Sequence, residues 1–224
     1  MYITWLGQAG FLLQSGGLKI IIDPYLSDAV ASIVPKNSRR MPINEKFLNI
    51  KPDVIILTHD HLDHTDLQTL KYYINEDSKL LVLASENSWQ KVRNFKGDNN
   101  YVLFNHHSEW THKNIRFKAV KAVHSDKYAI GVIIYVEGKC IYITGDTVYN
   151  EEIFNDLPSD IDYVCLPING YGNNMNFSDA KRFCEKIGAV AIPMHCGMFD
   201  NIDMHEFEYS NKIVPEIFEK IELK

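Results

Sequence analysis

The sequence predicts a mixed α/β fold, α+β in arrangement, in which two β-sheets pack face to face and helices cover their outer sides. Three observations carry this expectation. Short β-rich runs separated by glycine turns fill two stretches of the chain, and each stretch leads into strand-then-helix patterns. The run DVIILT (53–58) shows no polar alternation and reads as a strand buried on both faces. With 224 residues, 46% of them hydrophobic, the chain can fill one sizeable core, so residues 1–224 are expected to form a single domain.

The elements follow in order. ITWL (3–6), FLLQ (11–14) and LKIIID (18–23) are divided by Gly7 and Gly10 and then by Gly16 and Gly17, the pattern of an antiparallel meander. A loop from Pro24 to about Lys51 comes next. It carries Pro24, Pro35 and Pro42 with the basic residues Lys36, Arg39 and Arg40, and a loop this long in a compact domain is more often functional than decorative. After DVIILT, Thr65 and Gln68 have the spacing of a capping box, and Leu67, Leu70 and Ile74 keep helical spacing. LLVLA (80–84) predicts a strand and ENSWQKVRNF (86–95) a helix. IRFKAVKAV (115–123), AIGVIIYVE (129–137) and CIYIT (140–144) predict a second meander. YVCLPI (163–168) and AVAIPM (189–194) predict further strands, with one helix between them from about Ser178 to Ile187 and another near residues 204–221.

Charge and cysteine usage narrow the function classes. The 23 basic and 29 acidic residues give a formal charge of -6 without long runs, which argues against affinity for phosphate backbones, so no nucleic-acid partner is expected. No stretch approaches the roughly 18 uncharged residues of a membrane span, and MYITWLGQAGFLLQ lacks a basic leader region, so no membrane partner and a cytoplasmic location are expected. Cys140, Cys165, Cys184 and Cys196 show no CxxC pairing and are expected as reduced thiols.

The chemistry concentrates in THDHLDHTD (58–66). Imidazole suits zinc, iron and manganese, carboxylate suits harder ions, and alternating ligands on an irregular loop can point at two neighbouring centres rather than one. A solvated polar turn is the bland alternative. The segment lies between a strand and a helix, where ligand sites of layered α/β folds form. His124, Asp146 and His195 each stand directly after another predicted strand. A lone histidine at such a place is more often a hydrogen-bonded structural residue, but the recurrence of the placement favours a shared metal site.

Taken in order, HDHLDH, AVHS, TGDT and PMHCG, behind WLGQAGFLL and IIIDPYL, resemble the metallo-β-lactamase-fold hydrolases, above all the branch containing the ascorbate-6-phosphate lactonases. The resemblance spans nearly the whole chain; its six-residue motif is specific, and each later motif is weak alone. It implies a four-layer αββα sandwich with a dinuclear site at the edge between the sheets. Carried over residue by residue, His59, His61 and His124 would hold one ion and Asp63, His64 and His195 the other, with Asp146 bridging them. Asp23 would orient a ligating imidazole, and Gly145 would let the backbone pass close beside Asp146.

Two divalent cations are implied, Zn2+ first, with Mn2+ or Fe2+ as alternatives. They would activate a water to the attacking hydroxide, and Asp63 would hold the proton passed to the leaving group of a small anionic ester or lactone. Gln8 departs from the pattern, since many relatives of that branch carry histidine there. Cys196 is read as a buried structural thiol, and His106, His107, His112 and His205 as surface residues.

Lys36, Arg39 and Arg40 are candidates to meet a phosphate or carboxylate, with a solvated basic turn as the alternative. Asn169, Tyr171, Asn173, Asn174 and Asn176 are candidates to hydrogen-bond a sugar-like substrate, although turn propensity explains them equally well. The expected partner is a small molecule, phosphorylated in one reading, and homo-oligomer formation is expected by analogy with the family. Three rivals stay open: a small-molecule or lipid phosphodiesterase on the same site, a non-catalytic metal-binding protein, and a redox di-iron protein. Relatives of the last kind carry glutamate where this sequence has His61.

Overall fold

Val54 and Ile56 point to one side of their strand and Ile55 and Leu57 to the other, and all four are fully buried. That double burial decides the layering. Val54 and Ile56 join a cluster of 45 buried residues that also contains the apolar side chains of a second sheet, whereas Ile55 and Leu57 join a cluster of 14 with Leu70, Tyr73 and Val92 from helices. Each such side chain contributes about 1.5–3 kcal/mol by leaving water.

The computed structural model describes residues 1–224. The first half of the chain comprises β1 (Tyr2–Gly7), β2 (Gly10–Ser15), β3 (Leu18–Ile22), α1 (Glu45–Leu48), β4 (Val54–Leu57), α2 (Leu67–Tyr73), β5 (Leu81–Ala84), α3 (Glu86–Val92) and β6 (Asn100–Leu103). The second half comprises β7 (Glu109–His112), β8 (Ile115–Lys121), β9 (Ile130–Val136), β10 (Lys139–Ile143), β11 (Tyr163–Pro167), α4 (Phe177–Ile187), β12 (Val190–Met194) and β13 (Lys220–Glu222). One sheet has seven strands in the order β13-β1-β2-β3-β4-β5-β6, and the other six in the order β12-β11-β10-β9-β8-β7. β1 to β3 and β8 to β10 are the two expected antiparallel meanders, β7 adds an antiparallel strand to the second, and parallel strands extend each of them. On the far side of the second sheet the ring of Phe183 in α4 lies 6.3 Å from that of Tyr142 in β10. The result is the αββα sandwich expected from the sequence, and no helix is long and apolar enough to cross a membrane.

Several local expectations are corrected. No helix forms over residues 204–221: only a 3-10 turn stands at Met204–Glu206, and the chain then runs extended to β13. Pro215 cannot continue a helix, and two open sheet edges offer the tail better use of its backbone groups. Its Asn211 and Ile213 exchange backbone bonds with Ala191 of β12, and β13 pairs antiparallel with β1, Tyr2 facing Glu222. The cap of α2 is Asp66, whose carboxylate accepts from the Gln68 N–H at 2.9 Å; Thr65 instead donates to the carbonyl of His59 at 2.8 Å. The strands β6 and β7 carried no usable pattern because both are four residues long, mostly half-exposed and at sheet edges. The long loop is partly ordered, with two 3-10 turns and α1, whose first turn Asn44 caps.

Gly145, between β10 and Asp146, has φ +61, and a Cβ there would lie 2.8 Å from the Ile130 carbonyl oxygen and 3.1 Å from Cβ of Thr58. Gly145→Ala is therefore expected to lower unfolding free energy by at least about 1–2 kcal/mol, the cost of left-handed backbone for an L-residue, measured as a shifted denaturant midpoint at unchanged slope.

Candidate metal centre

Both sheets end at the same place. β3 and β4 of the first sheet lead into Asp23 and the loop 58–66; β8, β10 and β12 of the second lead into His124, Asp146 and His195. All seven residues expected as metal ligands meet here. His59, His61, His124 and Asp146 offer ligand atoms within 4.8 Å of one another, as do Asp63, His64 and His195, and each group could hold a metal ion.

Asp146 is the hub. Its Oδ1 lies 3.2 Å from His64 Nε2, and its Oδ2 lies 3.0 Å from His195 Nε2, 3.8 Å from His124 Nε2 and 4.0 Å from His59 Nε2. Asp63 Oδ2 stands 3.4 Å from His195 Nε2 and 3.9 Å from His64 Nε2.

Ring orientations are set from behind. Asp23 accepts from His64 Nδ1 at 2.8 Å, from the Thr58 N–H at 2.8 Å and from the Thr58 hydroxyl. A carboxylate there can only accept, so His64 carries its proton on Nδ1 and turns the Nε2 lone pair inward. The Thr58 hydroxyl is also 3.2 Å from His59 Nδ1, which turns His59 Nε2 inward in the same way. His59 Nε2, His64 Nε2 and Asp146 Oδ1 are then fully buried with no hydrogen-bond partner. Orphaned buried lone pairs are costly, and three of them facing one small space fit a cation, so the residues present suit a metal ion.

Electrostatics agree. Burial drives His59 well below the ordinary histidine value, helped by the neighbouring His64, so it is neutral and its lone pair is free to bind. For His64 and His195 burial acts the same way, but the carboxylates of Asp146, Asp23 and Asp63 outweigh it. His64 is raised well above the usual value and His195 to about 10. Burial raises Asp63 and Asp146, yet the facing imidazoles hold both carboxyls below the normal carboxylate range. In the absence of a cation these acids favour a second proton on His64 and a proton on His195; a cation binding here displaces those protons and takes up the inward-facing Nε2 lone pairs.

Three site residues, Gln8, Asp23 and His195, have left-handed backbone, with φ of +51, +41 and +60. Such conformations cluster where the surrounding structure must aim a side chain. Gln8 was set apart in the sequence only as a departure. It is buried, its amide donates to Asp63 Oδ2 at 2.7 Å and lies 3.0 Å from His195 Nε2, and its carbonyl accepts from the His195 N–H at 2.9 Å. Thr58 is a further support that sequence reasoning missed, since a threonine at a strand end carries no distinguishing signal, and Thr65, expected as a helix cap, instead holds the His59 carbonyl.

An open cleft of about 940 Å³ leads to the cluster. Lys36, Arg40, Asn169, Tyr171, Asn173 and Asn174 line it together with Asp63, His61 and His195; Asn176 instead caps α4. Arg39 does not line it. Its guanidinium donates to the carbonyls of Tyr25, Met41, Pro42 and Leu6, so the expected anion contact is replaced by a brace of the long loop. Asn174 bonds Asp146 Oδ2 at 2.9 Å and receives the Thr147 N–H at 3.0 Å, which commits both ends of its amide to the centre rather than to a substrate. Asn169 Nδ2 is 3.1 Å from His195 Nδ1, and Arg40 bonds Asp200 O and Asn201 at the rim. Cys196 is fully buried in the apolar core and belongs to no metal-binding group, and all four cysteines are free. His106 pairs with Asp156 at 2.5 Å and stacks on His107, forming a separate half-exposed group away from this cleft.

Comparison with known proteins gives a consistent answer. Residues 2–195 match the family model described as β-lactamase superfamily domain. A UPF0173 metal-dependent hydrolase of Flavobacterium johnsoniae is 31% identical over 95% of this chain and 92% of its own. The structure of a metallo hydrolase from Ignicoccus hospitalis superposes with a TM-score of 0.77 at 21% identity, covering 100% of this chain and 99% of that one, which shows the shared fold. A shorter match, 38% identical over 37% of this chain and 18% of the other, is to the mitochondrial N-acyl-phosphatidylethanolamine-hydrolyzing phospholipase D of Saccharomyces cerevisiae. The extent of the family match and the identity to the Flavobacterium protein place the chain in the β-lactamase superfamily, as a member of its UPF0173 metal-dependent hydrolase family.

Proposed function

We propose that the chain is a dinuclear metal-dependent hydrolase that opens a small anionic ester or lactone, in the manner of the ascorbate-6-phosphate lactonases it resembles. The observation that carries this reading is the trio of orphaned lone pairs on His59, His64 and Asp146, buried and facing one space at the base of an open cleft. His59, His61 and His124 would hold one ion, Asp63, His64 and His195 the other, and Asp146 would serve both. Zinc suits this mixture of imidazole and carboxylate, and manganese or iron(II) would also be accepted by it.

Bound divalent cations supply Lewis acidity, which lowers the pKa of water from nearly 16 towards about 7 and polarises the oxygen of the scissile group. The chain's own residues do the rest. Asp63 lies on the cleft wall with Oδ2 held by the Gln8 amide, placed to receive a proton and return it to the leaving oxygen. Lys36 and Arg40, which also line the cleft, would meet a phosphate or carboxylate, and the exposed ring of Tyr171 would cover the body of the substrate. The short match to a phospholipase D supports a second reading on the same site, cleavage of a small or lipid phosphodiester. Chemically it differs only in the atom attacked.

Element analysis of protein purified without added metal, followed by a screen of lactones, esters and phosphodiesters, tests both readings. Turnover on the preferred substrate should disappear with a chelator and return with Zn2+ or Mn2+; turnover that survives metal stripping overturns the proposal. Asp63→Ala is expected to lower kcat by about 10²-fold or more while the far-ultraviolet circular dichroism stays native. Metal affinity should rise with pH, because the proton on His195, with its pKa about 10, competes with the cation and is present throughout the neutral range. Chelator competition at pH 6 and pH 8 reads this directly, with tighter binding expected at pH 8. Arg40→Ala should raise KM for an anionic substrate by about tenfold and leave its neutral analogue unaffected, whereas Arg39→Ala should lower the melting temperature and act on both alike.

A further inference from the structure

The loop that carries four of the candidate ligands has no regular secondary structure between β4 and α2, so something other than a helix or strand must hold its imidazoles in place. Its C-terminal half is well braced. The carbonyl of His61 accepts from the N–H of His64 at 3.0 Å and of Thr65 at 2.8 Å, and Asp23 fixes the His64 ring. The N-terminal half, from His59 to His61, has a different brace. Asp60, between these two histidines, gives its N–H to Asp126 Oδ2 at 3.2 Å. Asp126 is 7% exposed, and its other oxygen accepts from Asn87 Nδ2 of α3 at 2.9 Å and from the Tyr128 N–H at 3.0 Å. Lys91 of α3 closes the frame, donating to the Asp60 carbonyl at 2.7 Å and pairing with its carboxylate at 3.0 Å.

Asp126 stands two residues after His124. One buried carboxylate therefore ties together the segment bearing His59 and His61, the segment bearing His124, and a helix of the outer layer. We propose that Asp126 is a positioning residue that holds His59, His61 and His124 as one metal-binding group, leaving the group of Asp63, His64 and His195 to its own support at Asp23. The proposal rests on the dinuclear reading above and adds that His61 and His124 depend on a brace other than Asp23, which reaches their group only at His59, through the Thr58 hydroxyl. A role confined to shaping its own turn would need only the bond to Tyr128; the bonds to Asp60 and Asn87 reach 66 and 39 residues along the chain.

The test compares wild type, Asp126→Ala and Asp126→Asn as full chains loaded with Co2+ and dialysed against a weak chelator, read by element analysis and by the visible Co2+ absorption spectrum. Wild type should keep two ions per chain. Asp126→Ala should keep one, with affinity for the other reduced by about 10- to 100-fold and its share of the Co2+ spectrum lost. Asp126→Asn keeps an oxygen for the Asp60 N–H and should recover most of the second ion. Should Asp126→Ala fail to fold by circular dichroism, Asn87→Ala, which removes the brace from α3, is expected to weaken one ion in the same direction. Two ions held with wild-type affinity and spectrum in Asp126→Ala, or in Asn87→Ala where that stands in for it, overturn the proposal and leave the dinuclear reading intact. Fewer than two ions in wild type overturn the dinuclear reading, and this proposal with it.

Discussion

A carboxylate shut away from water must be balanced by positive charge, and Asp146 imposes that requirement on the whole edge of the sandwich. Taking such a group out of solvent costs several kcal/mol unless partners surround it. Four imidazole nitrogens stand within 4.0 Å of its oxygens, and Asn174 adds an amide donor. Protons on His64 and His195 provide one balance and divalent cations another, so the same residues that stabilise the fold decide when it can bind metal.

The requirement reaches into both sheets. Asp23 and the loop after β4 belong to one of them, His124, Asp146 and His195 to the other, and the centre exists only where their packing is correct. Part of the chain's backbone strain sits at the same place, in the left-handed backbone of Gln8, Asp23 and His195, at about 1–3 kcal/mol each. The 45-residue apolar cluster between the sheets is what offsets it. A rigid core under a strained, polar rim lets the substrate-facing loops vary without disturbing the ligand geometry.

Much of this was legible in the chain because it depends on periodicity and on residue type. DVIILT shows its burial on both faces, and histidines and aspartates after strands show where ligands gather. What was illegible depended on competition between distant partners. Residues 204–221 have helix-like apolar spacing, yet the open edges of β1 and β12 claim them. Arg39 and Arg40 are neighbours of identical chemistry, and only the tertiary path of the loop sends one into backbone carbonyls and the other to the cleft. Asp126 resembles any turn aspartate until Asp60 and Asn87 are seen to converge on it.

The tail that crosses both sheets also bears on how the protein is made. β1 is synthesised well before β13, so its outer edge stays unpaired until β13 arrives, Tyr2 waiting for Glu222. Through synthesis the nascent chain therefore carries an open strand of apolar character, the kind of surface to which chaperones and neighbouring chains attach. Closure by contacts so remote in sequence carries a larger loop entropy cost than pairing within either meander.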